Sequence, residues 1–424
     1  MKITRLNVAG LRGFDQATFE FDPVFTLLVG VNGVGKSSVL EALRVSLSRV
    51  LPKFTASRAA PLAFSAADIR LDSAALTIDL DFAFADGERH LLLHKPRERY
   101  TPDQEGSVRQ GTFETPEKEE LSPQPWPKLD PSGNQPLAIY FGIRRSHPTD
   151  ERINVGRSRG GPAAAYADGL TDVRPLHLAD MASWILAQEV LAEEFPRARL
   201  HLDALKSAAA RFLPTCTDLR AAGDSEKPRL LITKRGVELD VRYLSEGERG
   251  MLALALDLAR RLSQANPMLD DPVRDGVAVV LIDELDMHMH PLWQRQVQSL
   301  LTSTFPNCQF IATTHSPQII GETQPERVIL LQAEDSRVFS KRCGQAYGLD
   351  ANAILEQIMG TMSRAEPARL AIAAVETALD EGELDEARAQ LAALRTLIHG
   401  DDPTVAGLEA TINNLQALGD APDK

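Results

Sequence analysis

Three clusters in the sequence hold residue types able to do chemistry. The first is Gly30-Val-Asn-Gly-Val-Gly-Lys36-Ser37-Ser38, spaced G-x-x-x-x-G-K-S. The second is Leu244-Ser245-Glu246-Gly247-Glu248-Arg249-Gly250. The third pairs Asp283-Glu284 with His315, each lying just beyond an apolar run. In the first cluster the glycines let backbone N–H groups converge on phosphate oxygens, and a following helix adds its partial positive end. Gly30, Asn32, Gly33, Gly35 and Ser38 belong to that cradle, Lys36 reaches the β- and γ-phosphates, and the Ser37 hydroxyl ligates Mg²⁺. An ordinary Gly-rich turn would need neither Lys36 nor Ser37. The expectation is a bound nucleoside triphosphate.

Such a cradle works only between a strand running in and a helix running out. Phe25, Leu27, Leu28 and Val29 read as a buried strand, and Val39, Leu40, Leu43 and Leu47 follow at helical spacing. Upstream, Ile3, Leu6 and Val8 mark one strand and Phe19 and Phe21 the end of another, with Leu11-Arg12-Gly13-Phe14 as a tight turn between them. Leu76 to Phe84 alternates and reads as a strand. Residues 96–135 are rich in Pro, Glu, Gln and Ser and read as a long exposed loop. Leu137 to Phe141 is a further strand; Gly156 to Gly169 reads as a second flexible stretch.

Leu176 to Phe212 is helical by spacing, and Leu230–Ile232 with Val237–Val241 form a hairpin at Arg235-Gly236. Ser245 opens a helix carrying Met251, Leu252, Leu254, Leu258 and Leu262, with Glu248 placed for a capping box. Two buried strands follow, at Val277–Ile282 and Gln309–Ala312. The tail has helices at Ala368–Leu379, Leu384–Leu397 and about Thr404–Leu418, spaced like one tetratricopeptide unit. The expected division is an N-terminal lobe 1–95, an insertion 96–240, a second lobe 241–335 and a helical region 336–424 that caps the chain or docks a partner.

The 424 residues carry a net charge of −13, and residues 341–424 alone have 7 Lys and Arg against 14 Asp and Glu. An acidic chain gains little non-specific affinity for nucleic acid. No apolar stretch reaches membrane-spanning length and the N-terminus lacks a signal-type apolar core, so a cytoplasmic protein is expected. Cys216, Cys308 and Cys343 have no metal spacing and are expected as reduced thiols.

The order of these clusters resembles the ATP-binding cassette (ABC) superfamily: phosphate loop, long insertion, signature, Asp-Glu strand, switch histidine. The branch it is similar to is the non-transporter one of SMC proteins, RecF and OLD ATPases, with the pattern running over residues 1–331. The resemblance implies an α/β ABC-ATPase P-loop fold. That fold has an antiparallel β subdomain and a mixed, largely parallel core sheet flanked by helices; here a helical insertion and a small C-terminal helical domain are added. It implies ATP and Mg²⁺ as cofactors and a homodimer that sandwiches ATP. Ser245 and the N–H groups around Gly247 would hold the γ-phosphate of the partner subunit's ATP. Asp283 would hold Mg²⁺ through water, Glu284 would polarise the attacking water, and His315 would sense the γ-phosphate. Glu246 departs from the family's glycine at that position. Arg12 is placed either to brace phosphates or to form a surface salt bridge, and Asp68 is the one candidate for a Gln-loop position. His288 and His290 have H-x-H spacing but no further ligand at metal distance, so a dimer-facing loop is expected there.

A narrower resemblance rests on Tyr140-Phe141-Gly142 with Arg144-Arg145, the Leu-Ser-Glu-Gly-Glu-Arg signature, Tyr347-Gly-Leu-Asp350 and Ile354 to Met359. These look like the PtuA-type ATPases of Septu and retron anti-phage systems, which assemble as higher oligomers and work with an HNH-type nuclease. The implied function is a dimerising ATPase that regulates a nuclease partner, reaching nucleic acid through that complex and needing no membrane. Two other readings stand beside it, a RecF-like DNA-repair ATPase and a scaffold whose ATP is never hydrolysed.

Overall fold

The computed structural model describes residues 1–97, 117–127, 134–143, 145, 148–149, 161–172, 176–223, 228–334 and 337–419. The chain divides into two compact units, 1–354 and 355–424. The first begins with β1 (Lys2–Leu11), β2 (Phe14–Glu20), β3 (Phe25–Val29), α1 (Lys36–Val50), β4 (Ala75–Phe84), β5 (Gly87–Pro96), β6 (Lys118–Leu121) and β7 (Leu137–Phe141). The insertion adds the two-residue strands β8 (Pro148–Thr149) and β9 (Leu176–His177), then α2 (Leu178–Leu191), α3 (Pro196–Phe212), β10 (Cys216–Ala222), β11 (Arg229–Lys234) and β12 (Val237–Asp240). The chain returns through α4 (Glu246–Ala265), α5 (Pro272–Asp275), β13 (Ala278–Ile282), α6 (Pro291–Thr304), β14 (Gln309–Thr313) and α7 (Pro317–Gly321). It closes the unit with β15 (Val328–Glu334), β16 (Arg337–Arg342) and α8 (Ala351–Ala353).

Strands that are apolar at every position must be covered on both faces, which a parallel sheet between helices provides. β3, β7, β13 and β14 are buried at every residue. They lie in one six-stranded sheet of order β16-β15-β3-β14-β13-β7, parallel throughout except for the edge strand β16. All parallel strands therefore end at one edge, and the phosphate loop, Asp283 and Thr313 leave from it. Each fully buried Val, Leu or Ile contributes about 1.5–3 kcal/mol, so a polar residue in this sheet needs a purpose. Gln309, fully buried, meets that test: its amide accepts from Ile3 N at 2.7 Å and donates to the Ile3 and Asp22 carbonyls. That side chain ties the start of β14 to β1.

The second sheet is antiparallel, in the order β2-β1-β4-β5-β6. Strands β5, β6, β10, β15 and β16 and the two-residue β8 and β9 have no counterpart in the sequence reading; β9 and the break between α2 and α3 interrupt the stretch 176–212 that reads as helical. In β5 the run Leu91-Leu92-Leu93 hides the alternation, and two inward positions are the charged Arg89 and Lys95. Most of the loop expected over 96–135 lies outside the described residues, as do 156–160 of the second flexible stretch. Residues 161–169 are packed rather than flexible: Ala165 and Tyr166 are buried, and Arg261 of α4 donates to the Ala165 and Ala167 carbonyls, both at 2.7 Å. The third sheet, β10-β11-β12, turns at Arg235-Gly236, both with positive φ (51° and 79°), as a two-residue hairpin requires.

The second unit contains α9 (Glu366–Asp380), α10 (Leu384–Ile398) and α11 (Pro403–Gly419). Val375, Ala387, Leu391, Leu394, Val405 and Ile412 form its core, as helical spacing in the sequence indicates. Asp402 caps α11 by accepting from Thr404 N at 2.8 Å and pairs with Arg364 at 2.8 Å. The Arg364 guanidinium holds the Asp402 carboxyl at about 2, below its ordinary 3.8. A depressed carboxyl stabilises fully above its unfolded value and loses that contribution as pH falls through the folded one. Amide protection in α11, corrected for intrinsic exchange, should therefore step down between pH 3.8 and about 2 in the native chain. The step should be missing in Asp402→Asn, as hydrogen exchange on both full-length proteins would show.

Candidate nucleotide site and its signature helix

Gly30, Gly33 and Gly35 all have positive φ (154°, 78° and 102°), a path that side chains resist. A Cβ on Gly30 would meet the Leu331 carbonyl oxygen at 2.5 Å, and one on Gly35 would meet the Phe14 ring at 2.8 Å. At Gly33 a Cβ would touch nothing, so there the backbone conformation alone calls for glycine. The loop thus wraps tightly against β15 and β2 while its outer rim stays open. Asn32 is exposed on that rim. The Lys36 ammonium folds back to donate to the Gly30 carbonyl at 2.8 Å and the Val31 carbonyl at 3.0 Å. Burial lowers its pKa. Ser38 is buried and takes a hydrogen bond from Arg12 Nη1 at 3.3 Å.

Ser37 points the other way. Its hydroxyl lies 3.1 and 3.3 Å from the two oxygens of Asp283. Thr313 donates to Asp283 Oδ1 at 2.6 Å, and Tyr140 reaches Oδ2 at 3.4 Å. Burial, then the Asp283 charge, push the Tyr140 phenol well above its usual range, so it acts as a donor. A hydroxyl and a carboxylate facing each other are hard oxygen donors of the kind Mg²⁺ takes. The residues therefore fit the metal that the phosphate loop implies.

Glu284 follows with φ 48°, in the left-handed region, and its side chain is exposed. Its N–H donates to Thr313 Oγ1 at 2.8 Å. Asp286 accepts from Thr314 Oγ1 and from His315 N at 3.2 Å, so the turn after Glu284 is fastened to the His315 strand end. Burial, then the Lys36 charge, hold the His315 imidazole below its usual range, leaving the ring neutral at pH 7. Arg145 is 3% exposed and donates to the carbonyls of Asp283 (2.7 Å) and Glu284 (2.6 Å).

Ser245 and Gly247 make no hydrogen bond to this group among the described residues. Ser245 is exposed at the start of α4 and forms a full capping box with Glu248: Ser245 N donates to the Glu248 carboxylate at 3.0 Å and Glu248 N to Ser245 Oγ at 3.3 Å. Lys234 pairs with Glu248 at 2.6 Å. Although burial works against ionisation, Lys234 and Ser245 hold Glu248 below the usual carboxylate range. Gly247 has a structural reason of its own, since a Cβ there would lie 2.3 Å from the His288 carbonyl oxygen. Glu246 lies beside His288, Oε2 to Nδ1 at 3.4 Å. His290 caps α6 by accepting from Leu292 N at 3.2 Å, so both histidines of the H-x-H pair already have protein partners.

Arg12 pairs with Asp68 at 2.8 Å and also touches Ser38, so the salt bridge and the contact with the loop coexist. Asp68 accepts from Ser65 N and from Arg12 Nε, and it makes no hydrogen bond to Asp283's group among the described residues. Tyr140, Thr313 and Arg145 are the site residues that sequence reasoning did not assign. Arg144 lies outside the described residues. A further cluster, Asp79, Asp81 and His90 on the antiparallel sheet, has metal-ligand atoms within 4.8 Å of one another, but Arg5 already pairs with Asp81 at 2.6 Å.

A parallel sheet with a phosphate loop and an Asp-Glu strand end, joined to an antiparallel sheet and a capped signature helix, defines an ABC-type ATPase domain. The profile of the RecF/RecN/SMC N-terminal domain matches residues 2–338, and the chain belongs to that family. Among curated relatives it is 22% identical to the Septu protein PtuA of Bacillus thuringiensis over 416 residues, 95% of each chain. It is 42% identical over 134 residues to the Retron Ec83 probable ATPase of Escherichia coli, a match spanning 31% of this chain and 24% of that ATPase. A solved Smc head bound to the C-winged-helix domain of ScpA shares the fold with a TM-score of 0.50 at 15% identity, covering 81% of this chain and 98% of that one.

Gly247→Ala should push α4 off the His288 loop. We expect about 1–3 kcal/mol of destabilisation, typical of overpacking, seen as a lower melting temperature without nucleotide. Glu246→Ala, at an exposed position, should change it little; equal melting of both variants would show that the close approach is not held in solution.

Proposed function

We propose that this chain binds and hydrolyses ATP with Mg²⁺, dimerises around the nucleotide, and through that cycle regulates a nuclease partner in anti-phage defence. The observation that carries the reading is the meeting of Ser37 and Asp283 at 3.1 Å, with an exposed Glu284 next in sequence and His315 anchored beside it. Mg²⁺ held there would offset charge building on the transferred phosphoryl group. The chain's own part is positional. The glycine loop and the end of α1 cradle phosphates, Lys36 leaves its two carbonyls for the β- and γ-oxygens, and Glu284 orients water. A neutral His315 can donate one ring proton toward the γ-phosphate.

Ser245 supports the dimer. It is exposed and caps the start of a long helix, yet it is hydrogen-bonded to none of its own subunit's phosphate-loop residues. A helix N-terminus suits an anion, and a second subunit supplies one. The defence role rests on likeness to Septu PtuA and the retron ATPase, and the HNH class of the nuclease on the PtuA-type resemblance. No helix among the described residues is long and apolar enough to cross a membrane.

Lys36→Ala should abolish ATP binding in equilibrium dialysis. Glu284→Gln should keep ATP, lose turnover and accumulate as a dimer in size-exclusion chromatography with light scattering. Ser245→Arg should bind ATP and stay at the oligomeric state seen without nucleotide. Dimerisation of Ser245→Arg equal to that of the native chain would remove the signature helix from the interface.

A further inference from the structure

Arg145 is a buried cation, and among the described residues no carboxylate pairs with it. Its guanidinium donates to the Gly142 carbonyl at 3.3 Å, to Asp283 at 2.7 Å, to Glu284 at 2.6 Å and to Leu285 at 3.3 Å. Three of these acceptors are successive residues, so the chain turns its carbonyls inward around one planar fork. The N–H groups of the same residues are also taken: Asp283 N donates to Phe141, Glu284 N to Thr313 Oγ1 and Leu285 N to the Thr313 carbonyl. Every backbone group of the Asp-Glu turn is thereby assigned.

This turn needs holding. Glu284 has φ 48°, a conformation that residues with a Cβ occupy at a cost. With the Glu284 carbonyl drawn inward, its side chain is left on the exposed side. Ammonium could not replace the fork, because lysine offers a point charge where arginine offers spread, coplanar donors. Burying a cation is also costly unless it is well bonded, which argues against an incidental residue. Burial lowers the Arg145 pKa to about 10, which leaves it charged at neutral pH beneath Asp286, Asp283 and Glu284.

We infer that Arg145 is a positioning residue for hydrolysis: by gathering the carbonyls of Asp283, Glu284 and Leu285 it fixes the backbone from which Glu284 addresses the attacking water. The inference rests on the ATPase reading above. It assigns Arg145 no contact with nucleotide, so binding and turnover should separate.

The test compares native chain, Arg145→Lys and Arg145→Ala for steady-state hydrolysis and for affinity toward a non-hydrolysable ATP analogue. A misplaced reacting group costs on the order of 100-fold. We expect kcat to fall by that order in Arg145→Ala and less in Arg145→Lys, with KM and analogue affinity within about twofold of native by the same reasoning. Guanidinium ion at about 20 mM, far below denaturing levels, should restore part of the Arg145→Ala turnover and none in Glu284→Gln. Native kcat in both variants would overturn the inference. So would analogue affinity falling in step with kcat, or failure of Arg145→Lys to fold, since either makes Arg145 a structural cation only. Absence of turnover in the native chain would instead remove the ATPase reading beneath it.

Discussion

The Asp283 carboxylate gathers Ser37 from α1, Thr313 from β14 and Tyr140 from β7 onto two oxygen atoms. Only parallel strands deliver their ends to one edge, so this convergence depends on the order β3-β14-β13-β7. The same edge leaves a row of backbone groups that no strand continues, and the side chains there must satisfy them. Thr313 does both jobs at once, donating to Asp283 and accepting from Glu284 N. The loss of its hydroxyl would take the partner from the Glu284 amide and leave Asp283 Oδ1 with the longer contact to Ser37.

Charge at this edge is balanced across a short distance. Asp283, Glu284 and Asp286 place three carboxyl groups in one turn. Two cations oppose them: Lys36 on the nucleotide side, and Arg145 beneath the turn. Lys36 rests on two carbonyls of the phosphate loop. Arg145 rests on four carbonyls inside the protein and stays where it is. A point charge on a flexible stem thus sits in the phosphate loop and a planar fork beneath the turn, and the two residue types suit those surroundings.

The local parts of this site could be read from sequence because local spacing encodes them. A glycine loop between strand and helix, a capping serine with glutamate three residues on, and acidic residues after an apolar run each need only a few neighbouring positions. Tyr140, Thr313 and Arg145 were not legible as site residues, because their roles come from strand order. Nothing local says that β7 lies beside β13, well over a hundred residues further along the chain. Strand β5 escaped for another reason: inward Arg89 and Lys95 break the expected apolar face, and Arg89 finds its partners in the Pro125 carbonyl and Asp86, positions that alternation does not reveal. The segment 161–169 reads by composition as part of a flexible stretch, yet Arg261, far along the chain, supplies donors to the Ala165 and Ala167 carbonyls.

Strand β3 carries the phosphate loop near the start of the chain, but both its sheet neighbours come near the end of the first unit. β14 pairs along one side from Phe310 onward and β15 along the other from Val328. During synthesis, Phe25–Val29 emerges from the ribosome long before either neighbour exists, and long-range pairing of this kind is slow. A nascent or truncated chain ending before Gln309 has an apolar strand with both edges bare and no seat for its glycine loop. Nucleotide capture is therefore among the last properties this polypeptide acquires, and fragments of it would be prone to aggregate.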